Sequence, residues 1–168
     1  MTNGRNRSDV ATARVRSAVP SDADAIARFQ TESWREAYRG LVPQAYLDRV
    51  GVDERRVRWR DRLVSGAREV AVAEQGGTVV GVVSWVTAGA QEPAALELAS
   101  LYVATDLHGT GLASTLLDVA VGTKPAHLWV FEYNPRAQAF YGKYGFVFSG
   151  RRQLDPGTGL WERRYVRL

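Results

Sequence analysis

Apolar and polar positions alternate at strand spacing in some stretches of the chain and recur every three or four residues in others. Residues 14–19 read as a first strand. Ser21 and Asp22 are good N-cap residues for a helix whose apolar stripe runs through Ile26, Phe29, Trp34 and Tyr38, with Gly40 as its stop. Pro43 opens a short helical turn through Leu47, and Asp53 is placed to cap an Arg-rich helix. Residues 69–74 and 78–86, joined by Gly76-Gly77, predict a β-hairpin. Residues 94–103 form a further strand. A helix over 111–121 carries Leu112, Leu116 and Val119 on one face. A strand over 127–131, a helix over 135–144 and a strand over 146–149 follow. The turn Asp155-Pro156-Gly157 leads to a last strand at 161–167. This order predicts a single α/β domain with a mixed sheet over 14–168, behind a flexible polar tail at 1–13.

Composition narrows the setting. The chain has 168 residues, enough to bury a core without staples. It has no cysteine, which excludes disulfides and thiolate metal sites. No apolar run has the length of a signal peptide core or a membrane span, so a cytoplasmic protein is expected, with no membrane partner. Lys and Arg exceed Asp and Glu by 22 to 18, a mild excess that suits an anionic ligand. The densest basic run is Arg55, Arg56, Arg58, Arg60 and Arg62, interleaved with Val57, Trp59 and Leu63. That pattern is expected to be a solvated helix face, and no nucleic-acid partner is expected. Binding to nucleic acid through this helix stays the least favoured alternative.

The stretch from Ser100 to Ser114 runs from strand through loop to helix. Gly109 and Gly111 allow backbone N–H groups to approach an anion, and the following helix offers its free N–H groups and positive dipole end. A pyrophosphate is the natural occupant. A plain turn and a dinucleotide fold both remain open on this loop alone, the latter with Glu132 about twenty positions on. Ser114 in place of a third glycine, and the five residues separating strand from loop, count against the dinucleotide fold.

From Asn134 to Phe146 the local signals agree. Asn134 is an N-cap and Pro135 holds the first helical position. Gly145 supplies a left-handed stop and Phe146 an apolar closing residue. Asn134, Ala137 or Gln138, and Tyr141 share one face, while Phe140 and Tyr144 lie on an apolar flank.

Together the two segments resemble the GNAT superfamily of N-acetyltransferases. The family's pyrophosphate signature reads here His108-Gly-Thr-Gly111-Leu-Ala113, with His108 where Arg or Gln is usual. Its second signature, Asn-x-x-Ala-x-x-Phe-Tyr-x-x-x-Gly-Phe, is matched from Asn134 to Phe146. The strand from Glu97 to Val103 is similar to the family's central strand. The resemblance implies an α+β fold with a mixed, mostly antiparallel sheet of about seven strands flanked by about four helices and splayed between the two central strands. It also implies acetyl-CoA as cosubstrate, no metal, and an amine-bearing small molecule or peptide as the other substrate. By the resemblance, Leu101, Tyr102 and Val103 hold the acetyl and pantetheine end. His108, Gly109, Thr110, Gly111, Leu112, Ala113 and Ser114 cradle the pyrophosphate. Asn134 bonds the pantetheine arm, Ala137 and Phe140 line the coenzyme, and Lys143 approaches the adenosine phosphate. Tyr141 sits at the sulfur as the acid.

An amine of pKa about 10.4 must lose a proton before it attacks a thioester. Glu97 is the first candidate base and Glu132 the second, with water as a third possibility. Trp34 and Tyr38 are expected to line the acceptor pocket, and core packing explains them equally well. His127 carries no assigned role. A non-catalytic acyl-CoA-binding module and a nicotinamide-dependent oxidoreductase stay as alternative functions. The C-terminal strands leave a homodimer open.

Overall fold

Among the described residues, seven strands form one sheet in the order β1-β2-β3-β4-β5-β7-β6. The computed structural model describes residues 12–49 and 51–168. Most of the expected tail, residues 1–11, lies outside the described residues. The strands are β1 (Arg14–Ser17), β2 (Glu69–Gln75), β3 (Thr78–Thr87), β4 (Leu96–Val103), β5 (Ala126–Phe131), β6 (Val147–Leu154) and β7 (Trp161–Arg167). The helices are α1 (Ala23–Tyr38), the single turn α2 (Gln44–Leu47), α3 (Val52–Ser65), α4 (Leu112–Ala120) and α5 (Pro135–Lys143). β4 and β5 pair in parallel; the other five pairings are antiparallel. A doubly wound dinucleotide fold needs a mainly parallel sheet, so the glycine loop here belongs to a different architecture. No helix among the described residues is long and apolar enough to cross a membrane.

Both faces of the sheet are covered, which the β2–β3 hairpin makes plain. Val70, Val72 and Val82 pack under α1 and α3 against Ile26, Ala27 and Trp59. Ala71, Ala73 and Val83 alternate to the other face, beneath Leu116 and Leu117 of α4. Tyr141 and Phe146 join this second cluster from α5 and the residues after it. A third, aromatic cluster of Trp34, Tyr38, Val42, Leu47 and Leu160 closes the end of α1.

Three local expectations change. The N-cap of α3 is Gly51, and Asp53 falls in its first turn, where a negative charge still favours the positive end of the helix. Asp22 stands at the N-cap of α1 without capping it. Its carboxylate instead accepts from both terminal nitrogens of Arg16, at 2.8 and 2.9 Å, and from the Val19 N–H at 2.8 Å. These contacts hold it below the usual carboxylate range, the Arg16 hydrogen bonds first among the causes. β6 runs to Leu154 rather than ending near Ser149. It is an edge strand, exposed along most of its length, so no buried face imposes an apolar alternation that the sequence would display.

Candidate functional site

The two central strands part company early. β4 and β5 are paired from Leu96 to Leu98 and from Ala126 to Leu128. Beyond that, Ser84 of β3 faces Ser100 while Trp85 faces Leu98, leaving Ala99 as an extra residue on β4. A bulge of this kind bends its strand and raises the local twist. The remainder of β4 diverges from β5, and a cleft of about 950 Å3 opens between them. Leu101, Tyr102 and Val103 form one wall and Trp129, Val130 and Phe131 the other.

The glycine loop sits at the end of β4. A 3₁₀ turn at Thr105–Leu107 leads into it, and the His108 ring turns back so that Nε2 lies 3.0 Å from the Val103 carbonyl oxygen. His108 and Ala113 line the cleft. Gly109 and Gly111 have φ of 80° and 91°, in the left-handed region where glycine is strongly favoured. Gly111 is the N-cap of α4. Its carbonyl accepts from the Ser114 hydroxyl at 2.7 Å and the Thr115 hydroxyl at 3.2 Å, and the Thr110 hydroxyl is bonded to the Leu107 carbonyl at 2.6 Å. The loop hydroxyls are thus committed to the loop. The N–H groups of Leu112, Ala113 and Ser114 make up the helix's first turn, where no intrahelical acceptor exists. Backbone, not side chains, is what this loop offers an anion.

α5 supplies the facing wall with Asn134, Ala137, Phe140 and Tyr141. Asn134 Oδ1 accepts from the Ala137 N–H at 2.9 Å, and Nδ2 donates to the Tyr38 hydroxyl at 3.1 Å. One side chain therefore caps α5 and ties it to α1. Tyr38 packs against Trp34 and Phe131, with ring centroids 4.3 and 5.6 Å away. Tyr141 is buried, and burial pushes its phenol well above the usual range, with Tyr102 adding to the shift. The hydroxyl consequently keeps its proton at any physiological pH. Lys143 is exposed, its ammonium 5.9 Å from the Tyr144 ring, and it does not line the cleft.

The carboxylates divide. Glu97 lines the cleft, with His127 Nε2 3.8 Å from its Oε2. His127 is itself buried, and its Nε2 also lies 3.7 Å from Glu92. Glu132 is not brought to the cleft; it is held by ion pairs with Arg152 and Arg163, which lower its pKa. Glu162 of β7 is a carboxylate that sequence reasoning missed. It is buried in the cleft wall, and desolvation raises its pKa. Its only sequence signal is an acidic residue inside an otherwise half-buried strand.

The basic run is not uniformly solvated. Arg56, Arg58 and Arg60 are exposed, whereas Arg55 and Arg62 are half-buried; these two and the edge of Arg58 line a smaller chamber of about 190 Å3 beside the cleft, with Trp34 and Trp59 among them. Trp59 is 1% exposed and its Nε1 donates to Gln30 Oε1 at 2.8 Å. A buried tryptophan at its centre turns this helix face inward, and the arginines beside it follow.

Comparison with known proteins agrees with this geometry. The model of the acetyltransferase (GNAT) domain matches residues 66–148, a span that takes in both central strands, the glycine loop and α5. A probable N-acetyltransferase of Mycobacterium tuberculosis is 29% identical over 143 residues, covering 82% of each chain. The PaiA N-acetyltransferase of Thermoplasma acidophilum, solved in complex with coenzyme A, shares the fold at a TM-score of 0.66 and 18% identity, over 90% of this chain and 98% of that one. An N-acetyltransferase of Staphylococcus aureus does so at 0.67 and 21%, over 93% and 98%. With the splayed central strands, the loop after β4 and the Asn134 helix all in place, residues 66–148 form an acetyltransferase domain of the GNAT family.

Proposed function

We propose that this chain transfers the acetyl group of acetyl-CoA to a primary amine by direct attack of the amine on the thioester. The observation that carries the reading is the divergence of β4 from β5, which opens one cleft running from the glycine loop to Tyr141. The fit to the cosubstrate rests on backbone. The free N–H groups of Leu112, Ala113 and Ser114 suit a pyrophosphate, and the unpaired edge of β4 from Leu101 to Val103 suits an amide-bearing arm. In this reading His108 shapes the loop through Val103, and Asn134 positions α5 through Tyr38. Lys143 is left to meet the adenosine phosphate at the rim.

In the reaction an N–C bond forms and the C–S bond breaks. The amine gives up a proton, and the leaving sulfur takes one. Tyr141 is the donor to sulfur, because its burial keeps the phenol protonated. Glu97 accepts the amine's proton, directly or through water. Glu162 is a second reading for the base, favoured by its raised pKa, since a base works best when its pKa approaches the working pH. Holding both substrates in one cleft supplies the remaining rate enhancement.

A thiol-release assay with acetyl-CoA and a panel of amines tests the reading, with release above background expected for at least one amine. A coenzyme-dependent rise in thermal stability with no thiol release from any amine would favour a binding module instead. The loop makes its own prediction. A Cβ at Gly111 would meet nothing closer than Ser114 Oγ at 3.9 Å, so the cost of Gly111→Ala is conformational rather than steric. Left-handed backbone costs a non-glycine residue about 1–2 kcal/mol. Relaxing that strain moves the first turn of α4, so KM for acetyl-CoA should rise about tenfold. Turnover at saturation should stay nearly constant. An unchanged KM would remove this loop from coenzyme binding.

A further inference from the structure

We propose that the amine acceptor carries an oxyanion, a carboxylate or a phosphate, which Arg55 and Arg62 bind in the chamber between α1, α3 and the β6–β7 loop. This deepens the acetyl-transfer reading of the same cleft and rests on it. The chamber is continuous with the cleft: Gln30, Arg62, Tyr102, Phe131 and Asp155 line both. An acceptor anchored there can extend its amine toward Glu97 and Tyr141. None of the residues from His108 to Ser114 lines the chamber, so it is separate from the glycine loop proposed for the coenzyme's pyrophosphate.

The chamber is short of negative charge. Arg58 is paired with Glu54, but among the described residues neither Arg55 nor Arg62 has a carboxylate within ion-pair distance. Arg55 Nε is buried without a hydrogen-bond partner. Among the described residues Asp155 is the one acidic residue in the lining, and its Oδ2 already accepts from the Thr158 N–H at 2.8 Å and the Thr158 hydroxyl at 2.7 Å. Desolvation lowers the Arg55 guanidinium and pushes Arg62 down to about 10, so both remain cationic near neutral pH at a cost in free energy. Aromatic rings hold the two groups in place: Arg55 lies 5.9 Å from the Trp34 ring centre and Arg62 lies 5.2 Å from that of Trp59. Two oriented, half-buried guanidinium groups with unspent donors match the planar, bidentate recognition of carboxylate or phosphate. The volume of about 190 Å3 admits a headgroup of a few atoms rather than a large ring system.

The test compares matched acceptors in the thiol-release assay: α-amino acids against their carboxamides, and O-phosphoethanolamine against ethanolamine. The anionic member of at least one pair should be preferred about tenfold or more in kcat/KM, the size expected of a charge-assisted contact. The pair that shows the preference identifies carboxylate or phosphate. Arg55→Gln and Arg62→Gln should each collapse that preference while leaving KM for acetyl-CoA unchanged, and Arg55→Lys should restore part of it. Arg60→Gln, on the exposed side of the same helix, should leave it intact. Preference for the neutral members, or a preference that survives Arg55→Gln, overturns the proposal. Should no amine release thiol, thermal shifts with the same compounds decide it. A stabilisation by the anionic members that Arg55→Gln abolishes supports the anion site even if acetyl transfer fails, and no stabilisation overturns it.

Discussion

Tyr141→Phe is expected to lower turnover about a hundredfold or more, the range that a positioned general acid supplies, while leaving the affinity for acetyl-CoA nearly unchanged. The two effects separate because the substitution keeps the ring. That ring packs edge-on against Phe140 and Phe146, with centroids 5.2 and 5.8 Å away, and these contacts hold α5 in place whether or not the hydroxyl is present. What is lost is one acidic proton at the cleft. Burial has moved that phenol upward from its ordinary value, so it stays protonated below pH 10 and loses its proton only at still higher pH. A fall in wild-type activity on the alkaline side below pH 10 would therefore belong to another group. Single-turnover rates and coenzyme titrations on wild type and variant check the prediction. Equal turnover would take Tyr141 out of the mechanism and leave water to protonate the sulfur.

The glycine loop and the Asn134 helix were legible in sequence because their requirements are local. A left-handed glycine before a helix and an asparagine three residues ahead of the N–H it caps are set by backbone geometry over a few positions. Gly111 and Asn134 are found in those roles. The hairpin at Gly76-Gly77 was legible for the same reason. The proposed acceptor side depends on which elements meet, and periodicity does not report that. The arginines from Arg55 to Arg62 have the spacing of a solvated face. The partial burial of Arg55 and Arg62 among them depends on Trp59 reaching Gln30 of α1, a contact between residues 29 positions apart. Glu162 lies beyond such reasoning too, since its environment is made by β5, β6 and the residues around Asp155. Glu132 shows the converse. Its place at the end of a central strand suggested the cleft, but Arg152 and Arg163 on the neighbouring strands hold it in ion pairs.

Phe146→Ala carries the largest expected effect on stability, and its cause can be followed from backbone to site. After Lys143 the chain closes α5 with Gly145 at φ 84°, while the Phe146 N–H bonds the Tyr141 carbonyl at 3.1 Å and the Gly145 N–H bonds that of Gly142 at 3.1 Å. This is the Schellman pattern, and it places the residue after the glycine against the one five positions earlier. Here those residues are Phe146 and Tyr141. Phe146 is 1% exposed, and the Arg167 guanidinium lies 4.7 Å from its ring centre on the side of β7. Truncating a fully buried phenylalanine removes about 3–5 kcal/mol, which for a domain of this size lowers the melting temperature by roughly 10 °C or more. Phe146→Leu should recover most of that loss, because it refills most of the space. The Tyr141 ring, however, keeps only Phe140 of its two edge-on partners once Phe146 is replaced. If Phe146 also orients the acid, Phe146→Leu should fold well yet turn over more slowly than wild type at saturating substrates. Thermal melts and kcat measured on the same preparations separate the two roles; a Leu variant with wild-type kcat would confine Phe146 to packing.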